Sequence, residues 1–176
     1  MIHDNSVDND MIDNGMIDNG MIHDDMTHDR MIDRAGILGL IPHQGAMCLW
    51  DEVLAWDART IHVRAHNHRD PAHPLRNGDC LRAIHLCEYG AQAMAVHGGL
   101  RARESGGIAR PGLLVALRGV ELHVARIDDL PGALDCLAEV LIDSDSGWQY
   151  AFRISHGDAL LAEGRAAVML QAGDCA

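Results

Sequence analysis

One stretch of the sequence, residues 79–97, restricts the fold most strongly, because it predicts a single helix that is apolar on nearly every side. Asp79 fits the position of an N-cap, and one stripe recurs at helical spacing: Ile84, Glu88, Ala91 and Ala95. Between residues 83 and 100 there is no Lys, no Arg and no acid other than Glu88. A helix without a charged face is typically enclosed by other elements rather than laid on a surface.

Glu88 is the one carboxylate on this apolar stripe. Taking a carboxylate out of water is unfavourable unless it is paired, and burial raises its pKa. We therefore expect Glu88 to serve as a proton donor near neutral pH. The sequence leaves open the alternative that Glu88 lies at the edge of the stripe and reaches water.

The sequence predicts strands both before and after the helix. Two short strands are predicted before it, at residues 48–56 and 60–68, and alternating apolar residues predict four or more strands after it, with a bulge where the alternation breaks at Arg118-Gly119. An antiparallel sheet that curls its apolar face around one buried helix satisfies both patterns. We therefore predict an α+β fold of the hotdog type, whose open sheet edge pairs with a second subunit.

The N-terminus differs in composition from the rest of the chain. Residues 11–15, Met-Ile-Asp-Asn-Gly, are repeated at residues 16–20, and the repeat then decays. Residues 1–35 hold nine Asp against Arg30 and Arg34, which accounts for most of the net charge of −12. We predict that residues 1–35 are a disordered acidic tail, that residues 36–176 form one domain, and that deleting residues 1–34 changes neither stability nor activity.

Composition excludes several classes of function. The acidic net charge argues against nucleic acid as a partner, and no segment approaches the about 20 apolar residues of a membrane span or the pattern of a signal peptide. Five cysteines without a CxxC pair predict a reduced, cytoplasmic protein with neither disulfides nor zinc. His62, His66 and His68 share one strand, but Arg64 interrupts the row, so we expect no metal site.

Two segments resemble one enzyme family. Residues 41–53, Ile-Pro-His-Gln-Gly-Ala-Met-Cys-Leu-Trp-Asp-Glu-Val, resemble the opening motif L-P-H-R-x-x-M-x-L-L-D-x-V of the 3-hydroxyacyl-[acyl carrier protein] dehydratases of the hotdog superfamily. Residues 88–94, Glu-Tyr-Gly-Ala-Gln-Ala-Met, resemble the helix motif E-x-x-A-Q-x-M of the same enzymes. Two further strings, His-Pro-Leu-Arg at residues 73–76 and Leu-His-Val-Ala-Arg at residues 122–126, narrow the resemblance to one branch of the family. The chain is similar to the ApeP-like branch, which serves aryl polyene pigment synthesis.

The resemblance implies the removal of water from a 3-hydroxyacyl thioester, giving a trans-2-enoyl thioester in aryl polyene, fatty-acid or polyketide synthesis. The partner is an acyl carrier protein that presents the acyl chain on a phosphopantetheine arm, and no cofactor is implied. A histidine takes the α-proton while a carboxylic acid protonates the departing hydroxyl. Glu88 matches the family's acid. The resemblance also implies a homodimer or a heterodimer with a second hotdog subunit.

Two histidines are candidates for the base. His73, fifteen residues before Glu88, is the first choice, although it lacks the G-H-F-P-G string that surrounds the base in fatty-acid dehydratases. His43 is the alternative. It belongs to the opening motif, which in the family shapes the substrate tunnel and here includes Gly45 and Met47 as candidate substrate-binding residues.

Gln92 and Arg76 complete the predicted site. Gln92, four residues after Glu88 on the same helix face, is predicted to orient its carboxyl group or to contact a helix across a dimer. Arg76 belongs to a group of arginines that flank the helix ends: Arg76, Arg82, Arg101, Arg103 and Arg110. An acidic carrier protein would bind such a patch, although an ordinary charged surface has the same composition.

Two other functions remain open from the sequence. In a hotdog acyl thioesterase, a helix carboxylate activates water on the thioester carbonyl. The other alternative is a non-catalytic subunit that completes a partner's site, and the missing G-H-F-P-G string favours it.

Overall fold

The structure, a computed structural model, describes residues 31–171. It holds two helices, α1 (Arg34–Leu38) and α2 (Leu86–Glu104), and seven strands: β1 (Ile32–Asp33), β2 (Glu52–Trp56), β3 (Thr60–Ala65), β4 (Gly112–Leu122), β5 (Leu134–Ser144), β6 (Gly147–His156) and β7 (Ala159–Leu170). The strands form one antiparallel sheet in the order β1-β2-β3-β5-β6-β7-β4. A sheet of this kind around one long helix confirms the predicted α+β hotdog fold.

The concave face of the sheet packs on α2. Buried residues of α2, among them Tyr89, Met94 and Leu100, share one apolar core with buried residues of the sheet. The helix lies so close to β6 that a Cβ on Gly90 would sit 2.8 Å from the Phe152 ring. No helix within residues 31–171 has the length and apolar character needed to cross a membrane.

The predicted limits of the helix are wrong at both ends. A 3-10 turn, Ala83–His85, precedes α2, and Arg82 before it is extended. This stretch bonds to the segment after β4: Leu81 N–H donates to Asp128, and Ala83 N–H donates to the carbonyl of Ala125. At the other end α2 continues past the predicted limit at residue 97, through Gly98 and Gly99 to Glu104. A Cβ on Gly99 would lie 2.8 Å from the carbonyl oxygen of Leu40, so a glycine here lets the backbone at residue 40 pack closely against α2.

The fold begins before the predicted boundary at residue 36. β1 pairs with β2, Asp33 caps α1 by accepting a hydrogen bond from Gly36 N–H, and Arg34 forms a 2.7 Å ion pair with Asp51. The last residues of the predicted tail are therefore part of the domain, and a deletion through residue 34 would remove these contacts. Residues 1–30, to which the disorder prediction also applies, lie outside the described part of the chain.

The strand predicted at residues 60–68 ends at Ala65, because Asn67–Arg69 form a 3-10 turn, so neither His66 nor His68 lies on β3 with His62. The strand predicted at residues 48–56 does not include residues 48–51. These residues hydrogen-bond mainly to α2 and to neighbouring loops, so β2 begins only at Glu52. The bulge predicted at Arg118-Gly119 is confirmed, because the register of β4 against β7 shifts between Arg118 and Glu121. Gly119 has φ +56°, a left-handed conformation that glycine adopts without strain.

Candidate active site

A cavity of about 570 Å³ runs along one face of α2. Its floor is the predicted stripe of the helix, with Glu88 at one end followed by Ala91, Ala95 and Gly99. From Glu88 to Gly99 the helix rises about 17 Å. The facing walls come from residues 39–43 and from β4, β6 and β7: Gly112, Leu114, Trp148, Val168 and Leu170. The size and the apolar lining are those of a small-molecule site.

Glu88 and His43 meet at one end of this cavity. His43 Nε2 lies 3.5 Å from Glu88 Oε1, and the side chains are 32% and 33% exposed. Glu88 is therefore half-buried rather than enclosed. In the single chain Glu88 therefore reaches water, which is the alternative that the sequence left open. His43 Nδ1 is buried and has no hydrogen-bond partner among residues 31–171.

Gln92 holds Glu88 in place. Its side chain is fully buried, and its Oε1 accepts a 2.9 Å hydrogen bond from Leu49 N–H. Its Nε2 then donates to the carbonyl of Met47 and to Glu88 Oε1, each at 2.9 Å. Because a backbone N–H must meet the amide oxygen, the orientation of the amide is fixed. Glu88 Oε1 is thus occupied as an acceptor.

His73 lies outside this cavity. Its side chain is 5% exposed, and its Nε2 is 2.9 Å from the hydroxyl of Tyr89, whose ring is fully buried. Desolvation by burial holds the pKa of His73 below its ordinary value, and the nearby His85 acts in the same direction. The structure therefore brings Glu88 together with His43, and it places His73 in a separate buried contact.

The other predicted substrate-binding residues support the loop around His43 or lie at a distance from it. Gly45 accepts a hydrogen bond from Arg34 through its carbonyl, and Met47 accepts one from Gln92. Neither lines the cavity. Arg76 is only 14% exposed in its side chain and is ion-paired with Asp128, 3.2 Å away.

The remaining predicted arginines divide into two groups. Arg101 forms an ion pair with Asp143, and Arg82 is exposed beside the segment after β4. Arg103 and Arg110 line the end of the cavity that is remote from Glu88. Arg110 also donates hydrogen bonds to the carbonyls of Asp145 and Gln171.

Other titratable groups lie away from the cavity. His62 contacts Asp135, His66 lies 3.8 Å from Glu52, and the buried His68 bonds to a backbone carbonyl. One group within residues 31–171 has the arrangement of metal ligands, namely the surface residues Glu121, His123 and Glu163. Cys48, Cys80, Cys87 and Cys136 are free, and Cys175 lies outside the described residues.

The wall of the cavity opposite the helix was not predicted from the sequence. Side-chain alternation indicates that Trp148 and Val168 point away from solvent, but it does not say which part of the helix they face. Asn67, which accepts a hydrogen bond from Tyr89, was also missed. It lies in a short 3-10 turn within residues 60–68, which were predicted as a strand.

Comparison with known families decides the assignment. The sequence model of one family, described as ApeP-like, ApeP dehydratase, matches residues 36–175. The chain belongs to the ApeP-like dehydratase family. This match confirms the resemblance to hotdog dehydratases of the aryl polyene branch and, with it, the prediction of a dehydratase. A comparison with curated proteins gives no match.

Solved structures agree with this ApeP-like fold. A chain of the dehydratase heterocomplex ApeI:P from Xenorhabdus doucetiae superposes with a TM-score of 0.71, at 23% identity over 77% of this chain and 91% of that chain. A proposed thioesterase from Silicibacter sp. gives a TM-score of 0.56, at 12% identity over 82% of this chain and 96% of that chain. An uncharacterised protein from Pyrococcus horikoshii gives a TM-score of 0.51, at 9% identity over 74% and 88% of the two chains. At these identities the superpositions show the fold alone.

Proposed function

We propose that this ApeP-like dehydratase acts on 3-hydroxyacyl thioesters carried by an acyl carrier protein and releases trans-2-enoyl thioesters. The observation that carries the proposal is the pair of Glu88 and His43 at the end of an apolar cavity. Elimination of water acts on two adjacent carbons, so an acid and a base must lie close together. The 3.5 Å separation meets this requirement, and the cavity gives a carrier-bound thioester access to both groups.

In the proposed reaction, His43 Nε2 takes the proton from C2, which the thioester carbonyl acidifies. The electron pair of that C–H bond becomes the C2=C3 double bond, and the C3–O bond breaks. Glu88 Oε2 gives its proton to the departing oxygen, which leaves as water. The products are the enoyl thioester, a protonated His43 and a Glu88 carboxylate, and return of one proton from His43 to Glu88 resets the site.

His43 rather than His73 is our candidate for the base. Its Nε2 reaches Glu88, whereas His73 is covered by its own chain before any partner binds. Assembly with another subunit can only reduce the exposure of His73 further. The base is tested by the rates of His43→Ala and His73→Gln in the dehydration assay. We expect the first substitution to abolish dehydration and the second to preserve it.

We propose that a second hotdog subunit covers β4. This strand ends the sheet, pairs with β7 on one side, and exposes large apolar side chains at Leu113 (61%), Val115 (49%) and Leu117 (40%). An open apolar edge of this length is a site for strand pairing. The ApeI:P complex is a heterocomplex, so the partner is either a second copy or a companion subunit.

The assembly is tested by sedimentation of the chain alone and after co-expression with a companion hotdog subunit. We expect a dimer in at least one sample and a monomer when Leu117→Glu is introduced. A wild-type chain that is monomeric in both samples would contradict the proposed pairing.

We propose that the carrier protein docks near Arg103, which is exposed at the far end of the cavity. A cation there favours the acidic surface expected of a carrier protein. Arg103→Glu should raise KM for the carrier-bound substrate and leave KM for a free pantetheine thioester unchanged. Arg165→Glu, an exposed arginine on β7, is the control. Equal effects of both substitutions would contradict this docking site.

The four described cysteines are free, which supports the cytoplasm as the compartment of this reaction.

The dehydration assay also distinguishes the two alternative functions, a thioesterase and a non-catalytic partner subunit, by the product that each would leave. A thioesterase would release the free acid, and a non-catalytic subunit would leave the substrate unchanged.

A further inference from the structure

Two runs of hydrogen bonds, joined by the backbone of Leu49, connect the buried His73 to Glu88. His73 Nε2 contacts the Tyr89 hydroxyl at 2.9 Å, and that hydroxyl donates to Asn67 Oδ1 at 2.7 Å. Asn67 Nδ2 donates to the carbonyl of Leu49 at 2.8 Å. Leu49 is held on its other side as well, because its N–H donates to Gln92, the residue that donates to Glu88.

The direction of every hydrogen bond in these two runs is fixed by their ends. Leu75 N–H donates to His73 Nδ1 at 3.2 Å, so Nδ1 is the acceptor and the ring proton lies on Nε2. His73 therefore donates to Tyr89, which donates to Asn67. Desolvation also lowers the pKa of His73, which favours the neutral ring that this arrangement requires.

We propose that His73 is a positioning residue, which sets the place of the Glu88 carboxyl group through Tyr89, Asn67, Leu49 and Gln92. This inference rests on the proposed function, because it concerns the acid of that reaction. His73 touches neither the cavity nor Glu88, so its effect is carried by the hydrogen bonds. Misplacement of a reacting group by about 1 Å costs roughly 100-fold in rate, so a remote support of this kind affects turnover.

The chain offers a matched pair of variants. In His73→Gln the side-chain amide nitrogen takes the place of Nε2 and still donates to Tyr89. In His73→Asn the shorter amide takes the place of Nδ1, so the bond from Leu75 survives and the bond to Tyr89 is lost. Tyr89→Phe breaks the same bond from the other side, with the ring retained.

We expect His73→Asn and Tyr89→Phe to lower kcat by about 10- to 100-fold with KM nearly unchanged. We expect His73→Gln to retain kcat within about threefold of wild type. If all three variants lose activity equally, His73 acts directly on the substrate and the proposal is wrong. If the variants melt at lower temperature while kcat stays at the wild-type level, the network is structural only, which also overturns it.

A second measurement does not depend on activity. The ¹³Cδ resonance of Glu88, assigned by its disappearance in Glu88→Gln, reports the surroundings of the carboxyl group. It should move in His73→Asn and Tyr89→Phe and stay in place in His73→Gln. A resonance that moves in no variant contradicts the positioning role. A wild-type protein that lacks dehydration activity yet shows these shifts overturns the proposed function alone.

Discussion

His43 Nε2 and Glu88 Oε1 lie 3.5 Å apart at the end of an apolar cavity, on a loop and a helix of the same chain. Each group is about one-third exposed, so a substrate can reach both. Gln92 occupies one oxygen of the carboxyl group and leaves the other free. One chain therefore carries both a proton donor and a proton acceptor in the proposed dehydration.

Replacement of His43 should remove activity without unfolding the protein. His43→Ala is expected to lower kcat by about 10²- to 10⁴-fold, the usual contribution of a general base. The melting temperature should stay close to that of wild type, because the side chain is only partly buried. Dehydration rates and thermal melts measure the two effects. His123→Ala, at an exposed position away from the cavity, is the control and should change neither.

Replacement of Gln92 should lower both stability and activity. Gln92→Ala leaves Leu49 N–H and the carbonyl of Met47 without their partner, and each unpaired buried group costs about 1–3 kcal/mol. Urea unfolding measures the loss in the free energy of unfolding. The exposed Gln44 also makes two hydrogen bonds to backbone, and Gln44→Ala should cost much less. Equal losses in the two variants would show that burial of the Gln92 amide is unimportant.

Asp128 should make stability depend on pH in the acid range. Its side chain is 2% exposed, and hydrogen bonds from Arg126 and from Leu81 N–H hold its pKa well below the ordinary value. A carboxylate with a lowered folded-state pKa contributes stability that is complete above its unfolded pKa of about 3.9 and is lost as the pH falls further.

The difference in unfolding free energy between wild type and Asp128→Asn should therefore be constant from pH 7 to about pH 5. It should shrink as the pH is lowered below about 4. Urea unfolding at a series of pH values tests this expectation. A difference that stays the same down to pH 2 would mean that the charge on Asp128 contributes nothing.

Gly90 should resist replacement although it lies within a helix. Alanine has the higher helix propensity by about 1 kcal/mol. However, its Cβ would lie 2.8 Å from the Phe152 ring, and overpacking of a core costs about 1–3 kcal/mol. Gly90→Ala is therefore expected to lower the melting temperature. Gly107→Ala, where the nearest atom is 3.6 Å away, should not lower it.

The fold could be predicted because its main signals are local. Side-chain alternation located the strands, and its break at Gly119 located the bulge. The apolar stripe located the helix. The first turn of that helix could not be predicted, because residues 80–83 bond to a segment more than forty residues later in the chain. The predicted helix stopped at residue 97, before two glycines, whereas Gly98 and Gly99 continue the helix and permit close packing against Trp148 and Leu40.

The site was harder to predict than the fold. Glu88 and Gln92 follow from helical spacing, which places them on one face. The histidines do not, because distance along the sequence does not show where a loop side chain points. His73 lies nearer the helix in sequence, yet its ring contacts Tyr89 and turns away from Glu88. The half exposure of Glu88 depends on how far the loop and the strands that line the cavity cover it, and no residue pattern encodes that.

The most direct test is mass spectrometry of a 3-hydroxyacyl carrier protein incubated with the purified chain, alone and with a companion hotdog subunit. Wild type is compared with Glu88→Gln, which keeps the shape of the side chain and the hydrogen bond from Gln92 but cannot donate an acid proton. We predict that wild type lowers the mass of the carrier-bound acyl group by one water and that Glu88→Gln does not. Loss of water at the same rate in both proteins, or release of the free acid, would contradict the assignment of Glu88 as the acid of a dehydratase.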